Sequence, residues 1–371
     1  MTLRILLTLL FFPCLLFAID DVAATKESPA NPPSDNPQRL RSLIDTLGQS
    51  NLQEAFRLLT SDYINHEQLD ELEVNRAALQ GMLNRLDFGA MLLTEKELEA
   101  RNSPFQFYHT KITDITAYLR FGKYSRNGIN NLDKALAEFS SDKKLLNLIV
   151  DLRSPQAQGD FSIASEILSR FRPPNELLFK IRRPGNDRPT LFVSKSTTNG
   201  WNKNLILLVD SDTGNVGEII AAVLRRETGC IIMGQATPGL TVEYRDVPIG
   251  QNKILRYAIA EVVLEDETSI FQIGIIPDIE TSSNPEAKRT IFRATDKGKD
   301  LTDFLFQKQR PRLNEAALVA GTDPEIDYYL LRSSNQPTPW DTPPVIDRVL
   351  QQAVDLLNAS HFLEDDGKTN R

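Results

Sequence analysis

The chain has 371 residues, of which 41% are hydrophobic and 25% charged, the composition of a folded globular protein and not of a disordered or fibrous one. That length suits about two domains. With 42 basic and 50 acidic residues the net charge is −8, so the phosphate attraction on which nucleic-acid binding depends has no support, and no basic stripe or reading motif is present.

In chain order the first feature is a basic start, Arg4, followed by residues 5–18 with no charge. The run falls short of the roughly 20 apolar residues that span a bilayer, and it reads as a secretory signal peptide. Cleavage is expected after Ala18 or after Ala24, so that the signal occupies at most residues 1–24; an uncleaved membrane anchor is the alternative. Cys14 follows Phe12 and Pro13, where a lipoprotein signal would carry small residues, so no lipid anchor is expected. Losing the signal leaves Cys230 alone, which excludes an intrachain disulfide and suits a small apolar residue of a buried strand. Residues 25–37, TKESPANPPSDNP, offer little to bury and read as a flexible linker.

From Gln38 apolar residues recur at helical spacing: Leu40, Leu43, Ile44 and Leu47, then Leu52, Ala55, Phe56 and Leu59, then Leu79, Met82, Leu83 and Leu86. A helical N-terminal domain over residues 38–103 is expected. After Pro104 the character changes. Ile115–Arg120, Leu145–Leu152, Leu205–Ser211 and Cys230–Met233 read as strands, separated by helices at Gly128–Ser140, Phe161–Phe171 and Glu218–Arg226. Such alternation predicts an α/β fold with a parallel sheet and right-handed crossovers. Leu240–Val247 and Ile254–Leu264 alternate as half-buried strands, an antiparallel addition to that core. Residues 280–345 are less regular, with the turn-rich RSSNQPTPWDTPP at 332–344, Trp340 within it, and an acidic stretch at Asp323–Asp327. A helix over Val345–Leu357 closes a core domain of residues 104–363, and residues 364–371 form a polar tail.

The order of these segments resembles the C-terminal processing (tail-specific) serine proteases. The pieces are Leu86-Asp-Phe-Gly-Ala90 with Leu92-Leu-Thr94, the strand Ile115–Phe121, LIVDLR at 148–153, GIIPD at 274–278 and the closing helix DRVLQQAVDLL at 347–357. The resemblance implies a crotonase-like or ClpP-like core. It also implies a PDZ domain between the helical segment and the core, for which only Thr94–Asp114 is available here; the chain reads as lacking it. In the family a serine at a strand-to-helix turn is deprotonated by a buried lysine on a later turn. Alignment of VDSDTGNVGEIIAAVL (209–224) through Glu218 puts Asn215 at the serine's position, and GQATPGLTVEY (234–244) puts Leu240 at the lysine's and Tyr244 at a supporting glutamine's. Neither an amide nor an alkyl chain can replace the dyad. The loop SPQAQGD (154–160) stands in for a glycine-rich oxyanion loop and keeps Gly159 alone.

These departures imply an exported pseudoprotease that binds an extended peptide, an envelope protein or an active protease relative, without nucleic acid and without stable membrane insertion once the signal is removed; its place is the periplasm or the cell exterior. Asn215 and Glu218 also have the spacing of a helix capping box. Two alternatives stay open: a serine-type hydrolase using Ser211 or Thr213 as a displaced nucleophile, and a carrier of a small apolar ligand in a groove lined by residues such as Leu240. Such a hydroxyl needs a base, and the three histidines (His66, His109, His361) read as surface residues, while Lys195, Lys203 and Lys253 are near only in sequence. No metal-ligand spacing or phosphate loop is visible, so no cofactor and no metal are assigned.

Overall fold

The structure, a computed structural model, describes residues 37–156, 159–305, 313, 315–334 and 344–369. The expected signal and nearly all of the linker lie outside the described residues, as do residues 335–343 with Trp340 and the last two residues of the tail. The strands are β1 (Ala90–Thr94), β2 (Tyr108–Lys111), β3 (Thr116–Arg120), β4 (Asn147–Asp151), β5 (Leu177–Arg182), β6 (Thr190–Val193), β7 (Asn204–Val209), β8 (Ile231–Gly234), β9 (Val242–Gly250), β10 (Lys253–Val263) and β11 (Ile279–Glu280). The helices are α1 (Pro37–Asp45), α2 (Gln49–Ser61), α3 (Glu71–Leu86), α4 (Glu95–Ala100), α5 (Arg126–Ser141), α6 (Phe161–Leu168), α7 (Val216–Thr228), α8 (Pro285–Asp296), α9 (Glu315–Val319), α10 (Pro324–Ser333) and α11 (Arg348–Thr369).

Two compact units divide at Leu79. The first contains α1, α2 and the beginning of α3. Its helices follow the apolar spacing, yet α2 and α3 bury no side chain: Phe56, Leu59 and Leu79 are all exposed. Helices this short are marginal on propensity alone.

The second unit is built on two sheets. One runs β11-β8-β7-β4-β3-β2, parallel from β11 to β3 with β2 antiparallel at its edge. Strand side chains alternate between faces, which divides the core. Leu119, Leu148, Val150 and Leu207 pack with residues of α5, α6 and α7, whereas Tyr118, Ile149, Ile206 and Leu208 pack with Ile291 and Phe292 of α8 and Val349, Leu350 and Val354 of α11. A parallel sheet needs both faces covered, and α8 with α11 supplies the second cover.

The other sheet is antiparallel, in the order β1-β10-β5-β6 with β9 also on β10. The family segments now have positions: the strand expected at 115–120 is β3, LIVDLR ends β4, and the half-buried pair is β9 and β10. Residues 90–94 depart from the wholly helical reading of 38–103. They form β1 because a distant partner claims them, Leu92 opposing Leu255 and Thr94 opposing Lys253; context of this kind overrides local helical spacing. Thr94 then starts α4 by a capping box, its Oγ1 accepting the Glu97 amide at 3.2 Å while Glu97 accepts the Thr94 amide at 2.8 Å. In the irregular 280–345 region, Asn284 caps α8 ahead of Pro285, and Asp323 caps α10 at 3.0 Å from the Glu325 amide. Among the described residues no helix is long and apolar enough to cross a membrane.

Candidate functional site

β7 ends at Val209, and the chain turns through residues 210–215 into α7. Thr213 makes the turn: its Oγ1 donates to Leu152 O at 3.0 Å and accepts the Asp210 amide at 3.0 Å. The residue is fully buried, so its hydroxyl proton is committed to backbone. Ser211 is exposed and sits on the wall of a cleft.

Asn215 follows with φ 51° and ψ −110°, a positive-φ conformation outside the left-handed helical well that residues with a Cβ adopt only at a cost. Its Nδ2 donates to Leu240 O at 3.0 Å and to Val242 O at 2.9 Å. The two positions aligned with the dyad are therefore joined by one hydrogen bond. Asn215 is only 2% exposed, and its Oδ1 has no hydrogen-bond partner. Of the capping box the glutamate arm closes, Asn215 N–H donating to Glu218 Oε2 at 3.0 Å; the asparagine arm has the placement but not a bond. Gly159 lies against this residue, since a Cβ there would stand 2.4 Å from Asn215 Oδ1 and 2.1 Å from Val216 Cγ2. Any side chain at 159 would push the loop off the helix.

Glu218 joins the second turn to the first. Its Oε1 accepts from Thr237 Oγ1 at 2.6 Å and Gly239 N at 2.5 Å, and its Oε2 from Leu240 N at 2.6 Å in addition to Asn215 N. Burial raises its pKa above the ordinary value even though all four donors pull downward. Gly239, at φ +77°, approaches the 272–274 backbone so closely that a Cβ would stand 2.7 Å from Gly274 N. The two family-like glycines, Gly239 and Gly274, are thus required by one contact between turns. Leu240 lies over Gly214, where an added Cβ would stand 3.2 Å from Leu240 Cδ1. Tyr244 is buried, its hydroxyl donating to Phe88 O at 2.8 Å, and burial raises its pKa. It anchors the Asp87–Gly89 turn and presents no free phenol to the cleft.

The base that a displaced hydroxyl would need was sought in sequence among histidines and three lysines. The structure instead brings Lys288, from α8, to the carboxylates on either side of Ser211. Its ammonium donates to Asp210 Oδ2 at 2.5 Å, Asp212 Oδ2 at 2.8 Å and Arg153 O at 2.9 Å. Its three N–H bonds are directed at three acceptors, none of which is Ser211. Burial raises the pKa of Asp210, with the Lys288 ammonium the largest opposing influence. Next to this pair, Arg153 bridges Asp151 and Asp347, fully buried, and Tyr118 donates to Asp151 at 2.8 Å. His109 faces Glu138 at 3.2 Å. Cys230 is buried and free, and burial pushes its thiol up to about 11, away from nucleophilic use.

Beside Leu240 and Ser211 opens a cleft of about 430 Å³ whose wall also includes Gln156, Arg101, Arg289 and Arg293. Sequence reasoning missed Arg289, Arg293 and Lys288 because α8 was not recognised, and Arg101 because it follows α4 far away in sequence. Asn284-Pro285-Glu286 is the available signal, a cap residue with proline in the first turn and an acid beside it.

The site is thus a strand–turn–helix at 209–216 in a parallel α/β core, clamped by a buried glutamate to a second glycine-bearing turn. Residues 115–281 match the model of peptidase family S41. Over 218 residues the chain is 28% identical to a carboxy-terminal-processing protease of Bartonella bacilliformis, covering 57% of this chain and 50% of that protein. The chain thus spans about half the length of this curated relative. Among solved structures it is similar to a candidate peptidase of Parabacteroides merdae (17% identity, 66% of this chain and 85% of that one, TM-score 0.49). It is also similar to a photosystem II D1 C-terminal processing protease (18% identity, 58% and 53%, TM-score 0.40). Residues 115–281 thus carry the peptidase family S41 pattern, and the chain is similar there to C-terminal processing proteases.

Proposed function

We propose that this protein is an exported member of the tail-specific protease type that binds an extended peptide or a protein partner of the cell envelope without cleaving it. The observation that carries the reading is the Asn215 amide, donated to Leu240 O and Val242 O at the two positions where the family requires a hydroxyl and an amine. An amide held by two backbone carbonyls neither attacks a carbonyl carbon nor relays a proton. Peptide binding requires only backbone pairing and side-chain pockets, and the adjoining cleft of about 430 Å³ supports a bound ligand. Export rests on the apolar, signal-like segment at residues 5–18. The short Thr94–Asp114 connection supports a member without a PDZ domain.

A relocated hydroxyl is the second reading, favoured by the exposure of Ser211 on the cleft wall. The saturated Lys288 ammonium weighs against it. The test is proteolysis of unfolded casein by the purified protein beside its Ser211→Ala variant and the double variant Asn215→Ser, Leu240→Lys. Silence of the wild type, with gain in the double variant, is expected. Wild-type cleavage that disappears in Ser211→Ala would replace the binding reading by a hydrolase.

A further inference from the structure

We propose that the arginine-walled cleft beside Leu240 holds a carboxylate of the bound peptide, an inference that rests on the peptide-binding reading above. In a chain whose net charge is −8, Arg101, Arg289 and Arg293 converge on one cleft of about 430 Å³, within the range of roughly 300–1,000 Å³ that suits ligand sites. The one acid on its wall, Asp212, is already engaged, accepting from Lys288 at 2.8 Å. The wall therefore carries more positive than negative charge, three arginines against one engaged acid.

Two of the arginines stand where helix energetics alone would not place them. Arg289 and Arg293 are four residues apart on α8, on one helical face, where like charges repel. Arg289 pairs with Glu286 at 3.0 Å, but both side chains are largely solvated, at 44% and 78% exposure, and such pairs hold little energy. Among the described residues Arg101 and Arg293 form no ion pair. Forked guanidinium donors match a carboxylate in pairs, and Leu240 alongside offers an apolar surface for a neighbouring side chain. That combination selects an organic carboxylate over a bare inorganic anion.

The carboxylate can be a peptide's C-terminus or an acidic side chain, and three probes separate them. Fluorescein-labelled ten-residue peptides of Ala, Ser and Val are titrated against the full chain by anisotropy. One has a free C-terminus, one is amidated, and one is amidated with a single internal Asp. At least tenfold tighter binding of one carboxylate form over the neutral amide is expected, and which form gains identifies the source. Arg101→Gln with Arg293→Gln should bring the favoured peptide to the level that the amide shows with the same variant. Arg101→Lys with Arg293→Lys, which keeps charge but loses the fork, should fall between. Equal binding of all three peptides overturns the carboxylate site while leaving peptide binding in place. A carboxylate preference that survives the double glutamine variant overturns the assignment to this cleft. Failure of every peptide to bind removes the peptide-binding reading and this site together.

Discussion

Glu218 shows how a residue aligned by resemblance acquires a physical role. Its two oxygens accept four donors from two turns, so Glu218→Gln would turn an amide NH₂ towards donors and leave buried N–H groups unpaired. Each such orphan costs about 1–3 kcal/mol, and a loss of about 3 kcal/mol in urea unfolding is expected. A change below about 0.5 kcal/mol would mean the carboxylate is not the clamp. Positions 215 and 240 were legible because strand, turn and helix signals bracket them closely in sequence. What the sequence did not disclose is which atoms would satisfy them: Nδ2 of Asn215 meets two carbonyls from residues 25 and 27 positions later, and Lys288 reaches Asp210 from 78 positions away. Pairings of that span depend on the folded backbone, not on local pattern.

Among the elements, β3, β4 and β7 were readable because both faces of a parallel sheet are buried and their sequences are continuously apolar. α8 was not, since its outer face carries Glu286, Arg289 and Arg293 and only Lys288, Ile291, Phe292 and Thr295 are buried, one of them a charged residue. β1 was hidden for the opposite reason, its Leu92 and Leu93 fitting the preceding helical rhythm until β10 pairs with them. The closing helix is tied to β4 by charge as well as by apolar packing. Asp347 accepts from Arg153 at 2.7 Å and 3.0 Å, and from the Leu350 amide at 3.1 Å as a helix cap. Asp347→Ala removes all three bonds and leaves the buried Arg153 with Asp151 as its one carboxylate partner, a loss of roughly 3–5 kcal/mol. Asp347→Asn retains the cap and should cost less. If the two variants unfold at the same urea concentration as wild type, α11 is held by Val349, Leu350 and Val354 without the ion pair.

At the scale of the whole molecule, buried ionisable groups divide the pH axis. Burial would raise the Asp151 pKa, but Arg153 and then Tyr118 hold it below its ordinary 3.8; its contribution is present above that value and is lost as pH falls through the lower, folded pKa. Glu218 has the opposite sign. Burial raises it above 4.5, so its stabilising contribution is complete below 4.5 and is lost as pH rises through the folded pKa. Asp210, raised above 3.8 by burial, adds to the same decline. Tyr118 and Tyr124, both raised by burial above 10, extend the decline into the alkaline range. The Glu218 share can be isolated by comparing wild type with Glu218→Gln, which does not titrate. The difference in unfolding free energy, wild type minus variant, should shrink between pH 4.5 and pH 7 by no more than about 1.4 kcal/mol per pH unit. A difference that grows over this interval would mean that the four donors outweigh burial, and that the clamp between the two turns is strongest when the glutamate is fully charged.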